Sequence, residues 1–450
     1  SPRPASEPLE PAETGERVLV FGFDGATWDV LDPMIAAGRL PNLAALAARG
    51  RTFDLETISP TFSPVIWTTV ATGTERFRHG IHDVVQTVLP GGVLLPRSIE
   101  RTAFFTKTTG VLFRALHQAN RLRLIPYRSS DVRAPSVFEA ASEAGMSTSL
   151  VEWYVTWPAV ELSGVTVSDR FHLQNGDAPL SAVVNPDALE EQVAHHIVAE
   201  DAVPAELVRR LADIDDLPPA EQAAWEQENA AFLREMRLNF ARDLTTRNVA
   251  VDLLQRDRDW RLFGVYFRSV DLSHHLTWKF HRTAADGNPA GAPDARRLGD
   301  VVERYHEFMD GVVGEVLAQV PPEATIILLS DHGFEDVYDH RRGPDGFAIV
   351  AGGPTAPAAG GADGGVGADR GRISVYDVAP TVARLLGIPV ADELPGTVRE
   401  DILDPAFVDA YPPFRVTTWE RADRSVATTG DALETDAAEI ERLRALGYID

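Results

Sequence analysis

The sequence predicts an α/β protein built around a mostly parallel β-sheet, with a helical insertion. Short β-rich runs alternate with helix-like segments, beginning with the run Arg17 to Phe23 and the helix-like stretch Trp28 to Ala37. Strongly apolar runs return at Trp260 to Phe267 and at Ala324 to Ser330. Between them lies a long acidic and Ala-rich region, from about Asp177 to Asp259, that reads as helical.

The composition is that of a globular protein and excludes several classes of function. The chain has 450 residues, of which 44% are hydrophobic and 24% charged. A net charge of −25 disfavours a nucleic-acid polymer as partner, because such binding surfaces are basic. The absence of cysteine removes disulfides, thiolate catalysis and Cys-based zinc sites, and leaves Asp and His as the available metal ligands. No window approaches the 18 or more apolar residues of a membrane span.

The pattern along the chain predicts one large domain with additions. Residues 1–15 are rich in Pro, Glu and Ala and read as a flexible tether, left by a removed signal or anchor or by shortening of the chain. The first of these origins favours an extracytoplasmic location. Residues 16–400 form the predicted catalytic domain, with an inserted loop and helical cap at about 86–258, and residues 401–450 are peripheral. Within the insertion, 84–133 reads as an irregular covering loop and 219–256 as one long helix.

Ligand-type side chains follow the predicted strands directly. Asp24 comes after the first strand, and Asp331 and His332 come after the strand Ala324 to Ser330. In open parallel sheets, ligands bind beyond the carboxyl ends of the strands, so these side chains are placed where chemistry usually occurs. Each one taken singly would more often be a turn or cap residue.

Four further residues complete the set. Asp271 and His275 are four residues apart, which on a helix places both side chains on one face. His340 follows Asp331-His332 within a short loop. Ser63 precedes Pro64 at the expected start of a buried helix, where it is either a helix N-cap or a nucleophile. Together the carboxylates and imidazoles suffice for two metal ions, which would activate the Ser63 hydroxyl for phosphoryl chemistry.

At this point the chain resembles the alkaline phosphatase superfamily and, within it, the type I phosphodiesterase/nucleotide pyrophosphatase-like branch. The resemblance covers most of 17–387 and rests on motifs in a fixed order: Asp24-Gly25, Ser63 nine residues before Thr72-Gly73, His79-Gly80-Ile81, Asp271 to His275, Asp331-His332-Gly333, and His340. It implies a three-layer αβα sandwich of the alkaline phosphatase type.

The resemblance also implies a cofactor, a ligand set and a reaction. Two divalent ions, zinc with manganese as the alternative, would be held in two sites. One site would use Asp271, His275 and His340, with His274 and His281 as competitors for the last position. The other would use Asp24, Ser63, Asp331 and His332. Ser63 would attack a small phosphate ester and form a covalent phosphoryl-enzyme, which is then hydrolysed.

Departures from the family pattern limit the substrate. Pro64-Val65 replaces the Phe-Pro-Asn that usually follows the nucleophile, and Val84 occupies the position of a phosphate-binding Asn, so nucleotide specificity is not supported. Trp67 stands where sulfatases need Arg. A phosphodiesterase is favoured over a monoesterase. A phosphotransferase or mutase of the same superfamily and a metal-containing, non-catalytic binding protein remain as alternatives.

Overall fold

The computed structural model describes residues 2–4, 7–88, 94–96, 123–175, 181–285, 296–334, 343–356, 370–424, 440 and 443–444. In these ranges the strands are β1 Val18–Phe23, β2 Gly50–Glu56, β3 Val85–Val88, β4 Leu94–Pro96, β5 Arg123–Pro126, β6 Thr148–Val151, β7 Thr166–Val167, β8 Val184–Asn185, β9 Leu262–Phe267, β10 Thr325–Ser330, β11 Gly346–Ala351, β12 Gly371–Ser374, β13 Val390–Ala391 and β14 Arg415–Val416.

Nine of these strands form the central sheet, in the order β12-β2-β11-β10-β1-β9-β6-β7-β8. Strands β1, β9 and β10 lie in the middle, pair in parallel and are buried along their whole length. Their near-continuous apolar sequences are typical of parallel strands covered on both faces. The pairings reverse only β11 and β8 among the nine described strands, so the sheet is mixed but mostly parallel.

Helices cover both faces of this sheet. The α-helices of the described ranges are Trp28–Ala36, Pro41–Ala48, Ser63–Thr72, Arg76–His79, Val137–Glu143, Glu190–Ala194, Ala205–Arg209, Pro219–Glu228, Ala230–Arg256, Ser269–Ala285, Val301–Leu317, Val378–Leu386 and Pro405–Ala410. Alternate residues of β1 enter different cores: Leu19, Phe21 and Phe23 pack in one, and Val18 and Val20 in the other. The predicted α/β class with three layers is therefore confirmed.

Three local expectations differ from the structure. The stretch 219–256 is two helices that meet at Asn229. The first has no buried residue, although Trp225 packs against the core, whereas the second buries one face in the core. The described parts of 84–133 include the antiparallel sheet β4-β3-β5, so this region is less irregular than expected. Strand β2 was not predicted, although Phe53 and Leu55 alternate with polar residues in its sequence.

The described part of the N-terminal segment contacts the domain. The backbone of Arg3 pairs with that of Glu420 and Ala422, and its side chain forms an ion pair with Glu143. Leu9 is buried in one of the two cores. The domain boundaries proposed from the sequence stay a prediction.

Candidate active site

The register of the central strands brings Asp24 and Asp331 together. Phe23 at the end of β1 is level with Ser330 at the end of β10, so the residues that follow them leave the sheet side by side. Both carboxylates are fully buried. The Gly25 N–H donates to Oδ1 of Asp331 at 3.4 Å, which fixes one oxygen of that carboxylate.

His332 faces both carboxylates through one ring nitrogen. Its Nδ1 lies 2.9 Å from the carbonyl oxygen of Gly333 and donates to it. Its Nε2 is therefore an acceptor in the neutral ring, 3.3 Å from Oδ1 of Asp24 and 3.6 Å from Oδ2 of Asp331. A histidine oriented by a backbone carbonyl in this way is the usual arrangement of a metal ligand.

Ser63 completes this group from a separate element. It is the first residue of helix Ser63–Thr72, Phe62 is the residue at the N-cap, and no side-chain capping bond is formed. The expectation that Ser63 caps the helix is therefore wrong. Its hydroxyl instead donates to Oδ1 of Asp24 at 3.2 Å and lies 3.4 Å from Nε2 of His332.

The chemistry of this group fits a divalent cation. One ligand atom each from Asp24, Asp331 and His332 lie within 4.8 Å of one another. Oδ2 of Asp331 is buried and has no hydrogen-bond partner among the described residues. Burial raises the pKa of Asp331 well above its usual range, and the charge of Asp24 raises it further. A cation would remove this penalty, because it compensates both buried carboxylates.

The two carboxylates also shift the pKa of His332. Burial lowers it, but the carboxylates of Asp331 and Asp24 outweigh burial and hold the pKa of His332 well above its usual value. The imidazole thus provides positive charge next to the two carboxylates. Metal binding would release that proton and return Nε2 to the role of ligand.

Asp271 and His275 form a second group beside the first. Both lie in helix Ser269–Ala285, with Nε2 of His275 3.4 Å from Oδ2 of Asp271. A Cβ built on Gly25 would lie 2.8 Å from Oδ1 of Asp271, so the two groups are neighbours. Gly25 also has a φ of +71°, and both facts favour glycine there. His340 lies outside the described residues, and its role stays a prediction.

The two competitors of His340 have other surroundings. The His274 ring stacks on His306 with a centroid distance of 5.2 Å and contacts Trp278 and Phe334. His281 pairs through Nδ1 with Glu303 at 3.0 Å. Among the described residues, neither histidine belongs to the cluster that could hold a metal ion.

His79 supports helix Ser63–Thr72 through a side-chain hydrogen bond. Nδ1 accepts the Ile81 N–H at 3.2 Å, so Nε2 carries the proton and donates to the Thr69 hydroxyl at 3.1 Å. That hydroxyl donates to the carbonyl of Val65, two residues from Ser63. Burial, with a smaller effect of nearby cationic groups, lowers the pKa of His79 to about 3, so the ring is neutral.

Tyr266 is a site residue that the sequence reasoning missed. Its hydroxyl donates to Oδ2 of Asp24, the oxygen that does not face Ser63. The residue lies in β9, where it is level with Gly22 of β1, two residues before Asp24. In the sequence it reads as one more aromatic residue of a buried strand. The sequence feature that could have indicated this role was a tyrosine hydroxyl near the carboxyl end of a buried strand.

The fold and the buried Asp/His cluster at its carboxyl edge define an α/β protein with a candidate metal centre. Residues 18–346 match the profile of the family described as type I phosphodiesterase/nucleotide pyrophosphatase. The chain belongs to this family, as the sequence motifs predicted.

Solved structures similar to this chain include two hydrolases. A phosphonoacetate hydrolase from Sinorhizobium meliloti 1021 is 17% identical with a TM-score of 0.38, over 73% of this chain and 60% of that one. This chain thus spans less than two thirds of that enzyme. Murine ectonucleotide pyrophosphatase/phosphodiesterase 5 is 13% identical with a TM-score of 0.43, over 86% of this chain and 100% of that one.

No curated protein matches the sequence significantly. Among the helices of the described ranges, none is both long and apolar enough to cross a bilayer.

Proposed function

We propose that this protein is a metal-dependent phosphoric ester hydrolase in which Ser63 is the nucleophile. The observation that carries the proposal is the position of the Ser63 hydroxyl, 3.2 Å from Oδ1 of Asp24 and 3.4 Å from Nε2 of His332. A serine hydroxyl needs an activating partner. Both groups that could supply one, directly or through a shared ion, lie within reach of this oxygen.

The residues divide into two ligand sets for two divalent ions. Asp24, Asp331 and His332, with Ser63, would hold one ion, and Asp271 and His275, with His340, the other. Their oxygen and imidazole donors suit zinc and also accept manganese. Bound there, the ions would draw electron density from the serine hydroxyl and offset the negative charge of the phosphoryl group.

The chain's own groups account for the fate of the bonds. The Ser63 oxygen forms a bond to phosphorus while the bond from phosphorus to the leaving alcohol breaks. The hydroxyl proton already lies in the hydrogen bond to Asp24, which is its first acceptor. Water then attacks phosphorus, and its proton passes to the oxygen of the leaving alcohol. The bond between phosphorus and the Ser63 oxygen breaks, the phosphate leaves, and the Ser63 oxygen recovers its proton from Asp24. Tyr266 holds the other oxygen of Asp24, so the acceptor oxygen stays directed at the nucleophile.

A small panel of substrates and variants tests this proposal. Wild-type protein should hydrolyse bis(p-nitrophenyl) phosphate, lose activity with a chelator and regain it with Zn²⁺ or Mn²⁺. Ser63→Ala should reduce kcat by at least about 10³-fold while keeping its fold by circular dichroism. Ser149→Ala removes another buried serine hydroxyl, on β6, and should retain activity. Full activity of Ser63→Ala, or of the chelated protein, would refute the mechanism.

A further inference from the structure

The segment that leads into β11 lies between two parts of the candidate active site. Residues 343–345 come directly before this strand. On one side they contact the turn after β10, which begins with Asp331 and His332. On the other side they contact the loop 57–62, which leads into Ser63. We call residues 343–345 the linking segment.

The linking segment meets the turn after β10 through the backbone. The Gly333 N–H donates to the carbonyl of Pro344 at 2.8 Å. A Cβ built on Gly333 would lie 2.9 Å from Pro344 and 3.1 Å from the carbonyl oxygen of Asp345, so the two segments pack without space for a side chain. The carbonyl of Gly333 also accepts the hydrogen bond from Nδ1 of His332 at 2.9 Å. The residue that contacts the linking segment therefore also orients the candidate ligand.

The linking segment meets the loop before Ser63 through two side chains. Oδ1 of Asp345 accepts the Thr57 N–H at 3.2 Å. The hydroxyl of Thr61 accepts the Gly343 N–H, also at 3.2 Å. These two hydrogen bonds hold both ends of the loop. Thr61 is buried and lies two residues before Ser63, so a shift of its backbone would move the serine as well.

These contacts bear on the distance between Ser63 and His332. The Ser63 hydroxyl lies 3.4 Å from Nε2 of His332, although the two residues are 269 positions apart in the sequence. Pairing of β1 with β10 does not place Ser63, because this residue belongs to a separate helix. The three hydrogen bonds of the linking segment connect that helix start to the turn of His332. A displacement of about 1 Å between reacting groups can reduce a rate about 10²-fold.

We infer that Thr61 and Asp345 are positioning residues, which hold Ser63 at its distance from His332 through the linking segment. This inference rests on the proposed function, because it takes Ser63 as the nucleophile. It adds to that function the contacts that align the nucleophile with its activating groups. Loss of these contacts should lower kcat while KM and metal content are retained, because no ligand of either ion is removed.

Thr61→Val tests the contact with Gly343. Valine has nearly the same shape as threonine but lacks the hydroxyl that accepts the Gly343 N–H. With bis(p-nitrophenyl) phosphate as substrate, the variant should show a kcat reduced roughly 10- to 100-fold and a KM changed less than about 3-fold. Its Zn²⁺ content after saturation should equal that of wild type. Thr61→Ser restores the hydroxyl and should recover part of kcat.

Asp345→Ala breaks the second contact without a change at Thr61. It should lower kcat and retain KM and Zn²⁺ content in the same way, and Asp345→Asn, which keeps an acceptor oxygen, should recover part of kcat. Asp345 also forms an ion pair with Arg372 at 2.9 Å. Arg372→Met removes this ion pair alone, so it should retain the kcat of wild type.

Thr381→Val is the matched control for Thr61→Val. Thr381 is also a buried threonine whose hydroxyl accepts a backbone N–H from a distant segment, that of Arg399 at 3.1 Å. It lies in helix Val378–Leu386, and its replacement should leave kcat and KM unchanged. An equal fall of kcat in both valine variants would overturn the inference. A wild-type kcat in both Thr61→Val and Asp345→Ala would also overturn it.

Hydrogen exchange in chelated protein tests the linking segment independently of the reaction. Peptides from the loop 57–62 should exchange faster in Thr61→Val and in Asp345→Ala than in wild type and in Thr381→Val. If exchange in this loop is unchanged in both variants, the inference is wrong even where Ser63 is the nucleophile. Full activity of Ser63→Ala would instead refute the nucleophile, and faster exchange would still show that the linking segment holds this loop.

Discussion

The two predicted metal-ligand groups share one sheet edge but are assembled in different ways. Asp271 and His275 come from one turn of a single helix, so their proximity follows from helix geometry alone. Ser63 and Asp331 lie 39 and 307 residues from Asp24 in the sequence. The in-register pairing of β1 with β10 brings the two carboxylates together, and a separate helix adds Ser63. The geometry of a group assembled from distant elements depends more strongly on how those elements pack. This group also carries the larger electrostatic penalty, since two carboxylates are buried against one imidazole.

Replacing one carboxylate in each group by an amide should have the largest effects on metal content and activity. Asp331→Asn should remove about one equivalent of bound metal and reduce kcat/KM roughly 10²- to 10³-fold, because a ligand and its charge are lost. In chelated protein the same variant should raise the free energy of unfolding by about 1 to 3 kcal/mol, since a buried and poorly compensated carboxylate is removed.

Asp271→Asn makes the corresponding change in the other ligand group. That variant should lose the other metal equivalent, with Asp24, Asp331 and His332 still able to bind theirs. Plasma mass spectrometry measures the metal content of both variants. Chemical denaturation with and without chelator measures their free energies of unfolding. Loss of both ions from either variant would show that the two groups act as one site, and destabilisation of chelated Asp331→Asn would contradict the electrostatic account.

Tyr266→Phe tests the hydrogen bond that directs Asp24. Removal of the hydroxyl leaves the ring in place but frees Oδ2 of Asp24, so we expect a loss of about 10- to 100-fold in metal affinity or activity. Tyr376→Phe removes the hydroxyl of a half-buried tyrosine in the turn Val375–Asp377, which follows β12, and should retain wild-type metal affinity. Competition with a chromogenic chelator gives the affinities. Equal affinities for wild type and Tyr266→Phe would assign the hydroxyl a packing role only.

Sequence reasoning reached the parts of the site that depend on strand ends and on local periodicity. Asp24, Asp331 and His332 follow apolar runs, and Asp271 and His275 have helical spacing. What it could not reach depends on which strands pair. The reversal of β11 and the contact of Tyr266 with Asp24 are set by sheet order and register, which residue types do not encode.

The same limit applies to the contact between Arg268 and Tyr154. Arg268 was part of the segment considered for metal ligands, but nothing in its sequence neighbourhood indicates that Tyr154, more than a hundred residues away, would lie beneath its guanidinium. Ser63 is an intermediate case. Its position at a helix start was predicted correctly to within one residue, whereas the direction of its hydroxyl required the structure.

His79→Gln probes the local support of Ser63 through pH. Between pH 6.5 and about 3 the unfolded chain protonates this histidine and the folded protein does not, so His79 makes the wild type lose stability as pH falls through this window. The variant lacks this titration. Relative to pH 7.5, wild type at pH 5.0 should therefore lose about 2 kcal/mol more than the variant.

Urea denaturation of both chelated proteins at the two pH values measures this difference. At pH 7.5 the variant should be less stable than wild type, because its side chain does not reproduce both hydrogen bonds of the imidazole. The difference in the free energy of unfolding between the two proteins should be smaller at pH 5.0. If this difference is the same at both pH values, His79 is protonated in the folded protein at pH 5.0. The chelator is present in both arms because protonation of the metal ligands would otherwise contribute to the slope.

His274→Phe carries the smallest expected effect and separates adjacent histidines of one helix. His274 is buried among Trp278, His306 and Phe334, and neither of its ring nitrogens has a hydrogen-bond partner among the described residues. A phenyl ring fits an aromatic cluster and removes two buried polar atoms, so the free energy of unfolding should stay the same or rise by about 1 kcal/mol. Metal content should remain that of wild type. His275→Phe, one residue further along, should lose the metal equivalent that Asp271→Asn loses. If His274→Phe loses it instead, the imidazole that joins Asp271 is the preceding one, and the helical spacing of four residues is not what builds this group.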